Sequence, residues 1–326
     1  VRLLAGLGLL VAGLFAASLL IGPAAMGLGE SLRALVTGEG EAVVLVMREI
    51  RLPRALLGLT VGAALGLSGA AMQGFLRNPL AEPGLIGVAP AASLGAVIAL
   101  QAGLVAVWAP ALPLMALGFA GGAVALLFLL AGPRGGALAL ILAGIALSAL
   151  AGALVALVLN LSPNPFAAME IVFWMMGSLA DRSMLHVWLA LPFMAMGALL
   201  LAGTGRGLDA LTLGEDAAAS MGVSLGRLRA QVVLGVAALV GAATAVAGAV
   251  GFVGLVVPHL LRPLVGARPS ALLPVAALGG AAVVLAADIA TRLIAPDRDL
   301  KLGVLTALVG APFFFRLIWS MRRGLE

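Results

Sequence analysis

The chain contains no cysteine. This excludes disulfides and thiolate chemistry, and the two histidines, His186 and His259, stand too far apart to suggest a dedicated transition-metal site. Charge is scarce as well. Only 10% of residues are Asp, Glu, Lys or Arg, against about 25% in an average soluble domain. So few charges cannot dress a water-facing surface. The single lysine, Lys301, lies in Asp-Leu-Lys-Leu-Gly, and no Gly-x-x-x-x-Gly-Lys-Ser/Thr occurs, so there is no P-loop for ATP. No His-Glu-x-x-His motif and no Ser/His/Asp set of usable local spacing is present, which argues against a membrane-embedded enzyme. The net charge of +5 comes from dispersed arginines without interleaved aromatics, which argues against nucleic-acid binding.

What fills the chain is apolar: 63% of its 326 residues, with a mean hydropathy of +1.20. Leucine, alanine and glycine dominate and strand alternation is absent, so the expected class is an all-α polytopic membrane protein rather than a barrel. Apolar runs of spanning length predict ten transmembrane helices in one bundle, near 3–22, 52–75, 84–102, 112–131, 137–159, 187–203, 229–250, 252–265, 271–295 and 302–321. The run from Gln231 to Val265 is too long for one helix, and Gly248, Gly251, Gly254 and Pro258 divide it into a full helix and a short one. The first apolar run reads as an uncleaved helix rather than a signal peptide, despite the Ala-rich stretch 16–25 that resembles a cleavage site. Ten crossings put both termini on one side, and the arginine bias, to which Arg134 contributes, makes that side cytoplasmic. Arg51, Arg54 and Arg292 are then left as unusual cations on the outer side, which also holds Arg33, Arg48, Arg182, Arg298 and Lys301. No linker divides residues 1–326, and residues 204–228 form the largest inside loop.

Four features carry candidate function. Gly58, Gly62 and Gly66 recur every four residues on one helix face, which suits close helix packing within the chain or a pore or dimer face. Asn78-Pro-Leu-Ala-Glu82-Pro-Gly84 is a rigid turn, either a plain surface hairpin or a constriction at the inner mouth of a pathway. Leu211-Thr-Leu-Gly-Glu215-Asp216-Ala-Ala-Ala-Ser-Met221-Gly222 reads as one or two short helices ending at Gly222, with acids at a helix start. Its loop is long, which favours a docking surface for a cytoplasmic partner. Asp288 and Arg292, four residues apart in an apolar run, can pair on one helix face. Asp288 is also the best intramembrane acid for an alternative reading, an ion-coupled secondary transporter.

Several segments in order resemble one family. They are Arg51-Leu-Pro-Arg54, Arg77-Asn-Pro-Leu-Ala-Glu-Pro-Gly-Leu-Ile-Gly87, Leu142-Ala-Gly-Ile-Ala, Phe173-Trp-Met-Met-Gly-Ser178, Leu213-Gly-Glu-Asp with Met221-Gly-Val, Gly251-Phe-Val-Gly-Leu-Val-Val-Pro-His-Leu-Leu-Arg262, Ala287-Asp-Ile-Ala-Thr-Arg292 and Leu302-Gly-Val-Leu-Thr-Ala-Leu-Val-Gly-Ala-Pro312-Phe-Phe. Together they resemble the permeases of ATP-driven importers for vitamin B12, iron-siderophores and haem, the type II ABC importers. The resemblance implies a ten-helix permease in the bacterial inner membrane. It implies pairing with a second copy, two cytoplasmic ABC ATPase subunits and a periplasmic substrate-binding protein. It implies no cofactor in this chain, with ATP and Mg in the ATPase. By the same resemblance Arg51, Arg54 and Arg292 receive acidic residues of the binding protein. Asn78 and Leu80 belong to a cytoplasmic gate, as do Gly136, Ala137 and Leu138, whose loop is more polar in the B12 permease. Leu213, Gly214, Glu215, Asp216, Met221 and Gly222 belong to the coupling helices seated in the ATPase. Asp181 and Arg182 lie beside the outer entrance, where they could meet an anionic chelate.

Overall fold

The computed structural model describes residues 2–22, 26–38, 40–132, 135–295 and 299–323. Residues 23–25 of the Ala-rich stretch, Arg134 and Arg298 lie outside the described residues. The described residues form helices and no strands. In chain order these are α1 (Arg2–Leu20), α2 (Leu28–Val36), α3 (Glu41–Leu45), α4 (Leu52–Phe75), α5 (Val88–Gln101), α6 (Leu104–Val107), α7 (Ala111–Ala131), α8 (Ala137–Asn160), α9 (Pro165–Met175), α10 (Met184–Ala202), α11 (Gly205–Leu211), α12 (Glu215–Ser220), α13 (Leu225–Ala247), α14 (Val253–Leu261), α15 (Pro269–Ile294) and α16 (Leu302–Arg323). Seven segments are long and apolar enough to cross a bilayer: α1, the stretch Glu41–Phe75 ending in α4, α7, α8, α10, α13 and α15. The remaining predicted crossings fall on α5, α14 and α16.

The centre of the bundle is the α4–α15 pair. α1 and α14 pack on it, α13 packs between α4 and the α7 and α10 helices, and α5 bridges α7 and α8. The glycine stripe explains the central contact. A Cβ on Gly62 would stand 2.4 Å from the Gly280 carbonyl oxygen, and one on Gly66 would stand 2.0 Å from that of Ala276. Small residues let the two backbones touch, and contact between backbones supplies the dispersion attraction that holds helices together in lipid. Of the two uses open to the stripe, the structure therefore shows packing within the chain.

Two expected segments differ. The helix predicted to begin at residue 52 begins at Glu41 and runs on through a π-turn, Val46–Arg51. Pro53, just beyond that turn, lacks an N–H and crowds the carbonyl four residues earlier, so the ladder shifts to wider bonds there. The crossing predicted at 252–265 is a nine-residue helix, Val253–Leu261. At about 1.5 Å per residue it reaches roughly 14 Å, half of a bilayer core of about 30 Å. Non-helical backbone from Gly248 to Phe252 leads into it, and Phe252 itself adopts φ 67°.

Candidate functional site

One end of the bundle carries a buried ionic cluster. Asp288, 1% exposed on α15, accepts hydrogen bonds from Arg54 Nε at 2.9 Å and from Arg292 Nη2 at 2.8 Å. Arg54 Nη2 adds a contact to Asp288 Oδ1 at 2.9 Å. Arg292 Nη1 also donates to the carbonyls of Ser18 (2.9 Å) and Ile21 (2.6 Å), and its Nη2 donates to Ser18 Oγ (2.7 Å). Arg51 Nη1 donates to the carbonyls of Leu19 (3.0 Å) and Leu20 (2.8 Å). The last turn of α1 leaves carbonyls without helical partners, and two arginines satisfy them where the helix dipole is negative. Two of the three expected docking arginines, Arg54 and Arg292, are thus brought together on one carboxylate, and Arg51 joins Arg292 on the end of α1. Arg54, with a side chain 19% exposed, is more open than Arg292 at 6%.

Near the same end, Asp181 is exposed with φ 56°, while Arg182 turns inward and donates from Nε to the Val246 carbonyl at 2.6 Å. Burial lowers the pKa of Arg182, and the charge of Asp181 opposes that shift. Arg182 and the backbone N–H of Ser178, which donates to Ala247 at 2.8 Å, together cap the broken end of α13. The structure thus separates this pair: one side chain is available at the surface and the other braces a helix terminus.

At the opposite end, Asn78 forms a tight turn. Its Oδ1 accepts from the Leu80 backbone N–H at 2.9 Å and its carbonyl accepts from Ala81 at 3.1 Å. Asn78 is exposed and Leu80 partly so. Gly136 is the N-cap of α8, Ala137 is its first residue, and Leu138 is 69% exposed. The segment read as short helices ending at Gly222 is α11 and α12, parted by Gly214 at φ 107° and stopped by Gly222 at φ 85°. Glu215 and Asp216 occupy the first turn of α12, and Leu213 and Met221 flank it, 69% and 63% exposed.

Four residues gain partners that no local pattern announces. Buried Gln73 donates to the Leu255 carbonyl (3.1 Å) and accepts from Arg262 Nη2 (2.9 Å), tying α4 to the half-length α14. Glu82 accepts from the Phe252 backbone N–H at 3.4 Å and lines a mostly apolar cavity of about 410 Å³ beside α8 and the unwound 248–251 backbone. Asp209 on α11 accepts from the Ser270 N–H (2.8 Å) and Oγ (2.6 Å) at the start of α15, and from Arg268 Nη2 (3.5 Å). Burial alone would raise the Asp209 carboxyl, but the Ser270 bonds and the Arg268 charge outweigh it, and its pKa is lowered. Arg229 on α13 donates to the carbonyls of Gly135 and Gly132. No group of three or more potential metal ligands occurs among the described residues.

Relatives agree with this architecture. A solved chain described as an inward-facing conformation of a metal-chelate type ABC transporter superposes with a TM-score of 0.87 at 35% identity, over 98% of this chain and 99% of that one. The Fe(3+) dicitrate transport system permease protein FecD of Escherichia coli (strain K12) is 40% identical over 296 residues, 89% of this chain and 91% of its own length. The hemin transport system permease protein HmuU of Yersinia pestis is 40% identical over 316 residues, 93% and 92% of the two chains. The cobalamin import system permease protein BtuC of Halobacterium salinarum is 39% identical over 287 residues, 86% and 75%. The model of the FecCD transport family matches residues 9–320, and the chain belongs to that family of ABC-importer permeases.

Proposed function

We propose that the chain works as one of two copies that line a pathway through a bacterial inner membrane, with both termini in the cytoplasm. Two ABC ATPase subunits act from below and a periplasmic substrate-binding protein delivers cargo from above. The cargo is an iron chelate, such as a siderophore complex or haem, or a corrinoid; similarity to permeases named for dicitrate, hemin and cobalamin supports that range. The chain performs no covalent chemistry. ATP and Mg²⁺ belong to the ATPase, whose cycle moves the coupling segment and opens the pair outward or inward.

The observation that carries this reading is the surface of α12. Leu213 and Met221 hold large apolar side chains 69% and 63% exposed on a connection between two spanning helices, beside the acids Glu215 and Asp216. Apolar side chains exposed there suit a protein partner that removes them from water. On the other face, Arg54 and Arg292 share the single carboxylate of Asp288, with Arg51 on the same end of α1, a basic group that acidic residues of a binding protein would complement. Arg54 is the open member, held by Asp288, and Arg51 and Arg292 tie the same end to α1. Asn78 and Leu80 on one loop, with Gly136, Ala137 and Leu138 on the other, form the cytoplasmic gate. Asp181 lines the entrance, and an Arg182→Ala variant that took up an anionic chelate at the parent rate would remove Arg182 from that role.

Co-purification with the ATPase tests the reading. Leu213→Asp and Met221→Asp are each expected to lower ATPase retention by about tenfold or more, as loss of a central apolar anchor does. Retention equal to the parent in both variants would contradict the assignment of α12 as the ATPase contact.

A further inference from the structure

We propose that Arg229 is the positioning residue that transmits movement of the coupling segment to the loop between α7 and α8. This rests on the importer reading above, which supplies the two ends of the link.

The segment and the first turn of α13 form one unit. Val223 N–H bonds the Ala218 carbonyl at 3.0 Å, Leu228 N–H bonds that of Ser224 at 2.9 Å, and the buried Leu228 side chain lies against Gly207 of α11. Arg229 follows Leu228 directly. Its Nη1 donates to the Gly135 carbonyl and its Nη2 to the Gly132 carbonyl at 3.4 Å. Gly132 is the residue that ends α7 at φ 70°, and Gly135 adjoins Gly136, the N-cap of α8. One guanidinium therefore holds both ends of the expected gate loop to the root of α13.

Space around this link gives it its importance. A cavity of about 290 Å³ is lined by Glu215 of α12, by Gly136 and Ala137 at the start of α8, and by Arg229. Beside that cavity the arginine ties α13 to both ends of the loop with hydrogen bonds. Gly135 lies one residue before Gly136, the N-cap of α8, so a pull on the Gly135 carbonyl bears on the start of α8. The planar fork of arginine can hold two carbonyls at once, which a lysine ammonium on a flexible stem does less rigidly. A packed helix start, a grip on the Gly132 and Gly135 carbonyls and the adjoining N-cap of α8 make a contiguous physical route, and coupling itself is what must be measured.

The test uses the assembled transporter in proteoliposomes, with its ATPase and binding protein, and reads cargo taken up per ATP hydrolysed. Arg229→Ala is expected to keep ATPase binding and ATP hydrolysis while uptake per ATP falls roughly two- to thirtyfold, the range by which single mutations modulate coupling. Arg229→Lys is expected to lie between parent and Ala. The absence of cysteine allows a spin label at Leu138→Cys alone, and its ATP-driven movement is expected to shrink with the same ranking. An uptake-to-ATP ratio and label movement equal to the parent in Arg229→Ala would overturn the proposal. If that variant does not assemble, parent values in Arg229→Lys overturn it. A parent transporter with no ATP-driven uptake contradicts the importer reading instead, a result distinct from either.

Discussion

Asp288 faces two guanidinium groups from a site that is 1% exposed. Truncating it strands both cations, and breaking a buried pair in this way costs about 3–5 kcal/mol. Asp288→Ala is therefore expected to lower the thermal unfolding midpoint of the purified permease markedly, and an unchanged midpoint would contradict the cluster's structural role. Asp209 gives a pH-dependent counterpart. Its folded pKa is depressed, so its contribution is present above the unfolded carboxyl value of about 3.9 and is lost as pH falls through the folded value. Asp209→Asn is expected to reduce the loss of stability below about pH 4, seen as a flatter unfolding midpoint against pH. The pairing of Asp288 with Arg292 was legible in the sequence because four residues make one helical turn. The share taken by Arg54 was not, because it depends on α4 meeting α15 across 234 residues. Gln73 and Arg229 were equally silent: a side chain that bonds a distant carbonyl leaves no local pattern.

Among the elements, the α4–α15 crossing admits a direct test. Gly62 touches the Gly280 carbonyl so closely that any side chain must push the helices apart. Gly62→Val is expected to destabilise the fold by about 1–3 kcal/mol or more, the usual cost of overpacking, and to reduce the yield of monodisperse protein in detergent. Gly122→Val, where a Cβ would meet open space, is expected to spare it. Periodicity and length located the full crossings well, since lipid imposes both. Gly248, Gly251, Gly254 and Pro258 also announced the division between α13 and a short α14, but not its bounds, Val253–Leu261 against an expected 252–265. Hydropathy records how apolar a residue is and carries no information on whether its N–H is bonded along a helix. The π-turn before Pro53 was missed for a related reason: the proline marks a disturbance, but the chain absorbs it by widening the ladder instead of ending the helix.

For the whole molecule, the features expected to meet partners lie at opposite ends. The arginine cluster around Asp288 stands at one end and the exposed α12 surface at the other, with α4, α13 and α15 between them. A permease arranged in this way has surfaces suited to receive cargo on one face and mechanical work on the other, and its sequence contains no P-loop of its own. The direct measurement is uptake against a gradient by proteoliposomes holding the permease alone, the permease with its ATPase, and the full set with the binding protein. The account predicts accumulation only when ATPase and binding protein are both present and ATP is supplied. Uphill accumulation by the permease alone, driven by an ion gradient, would contradict it.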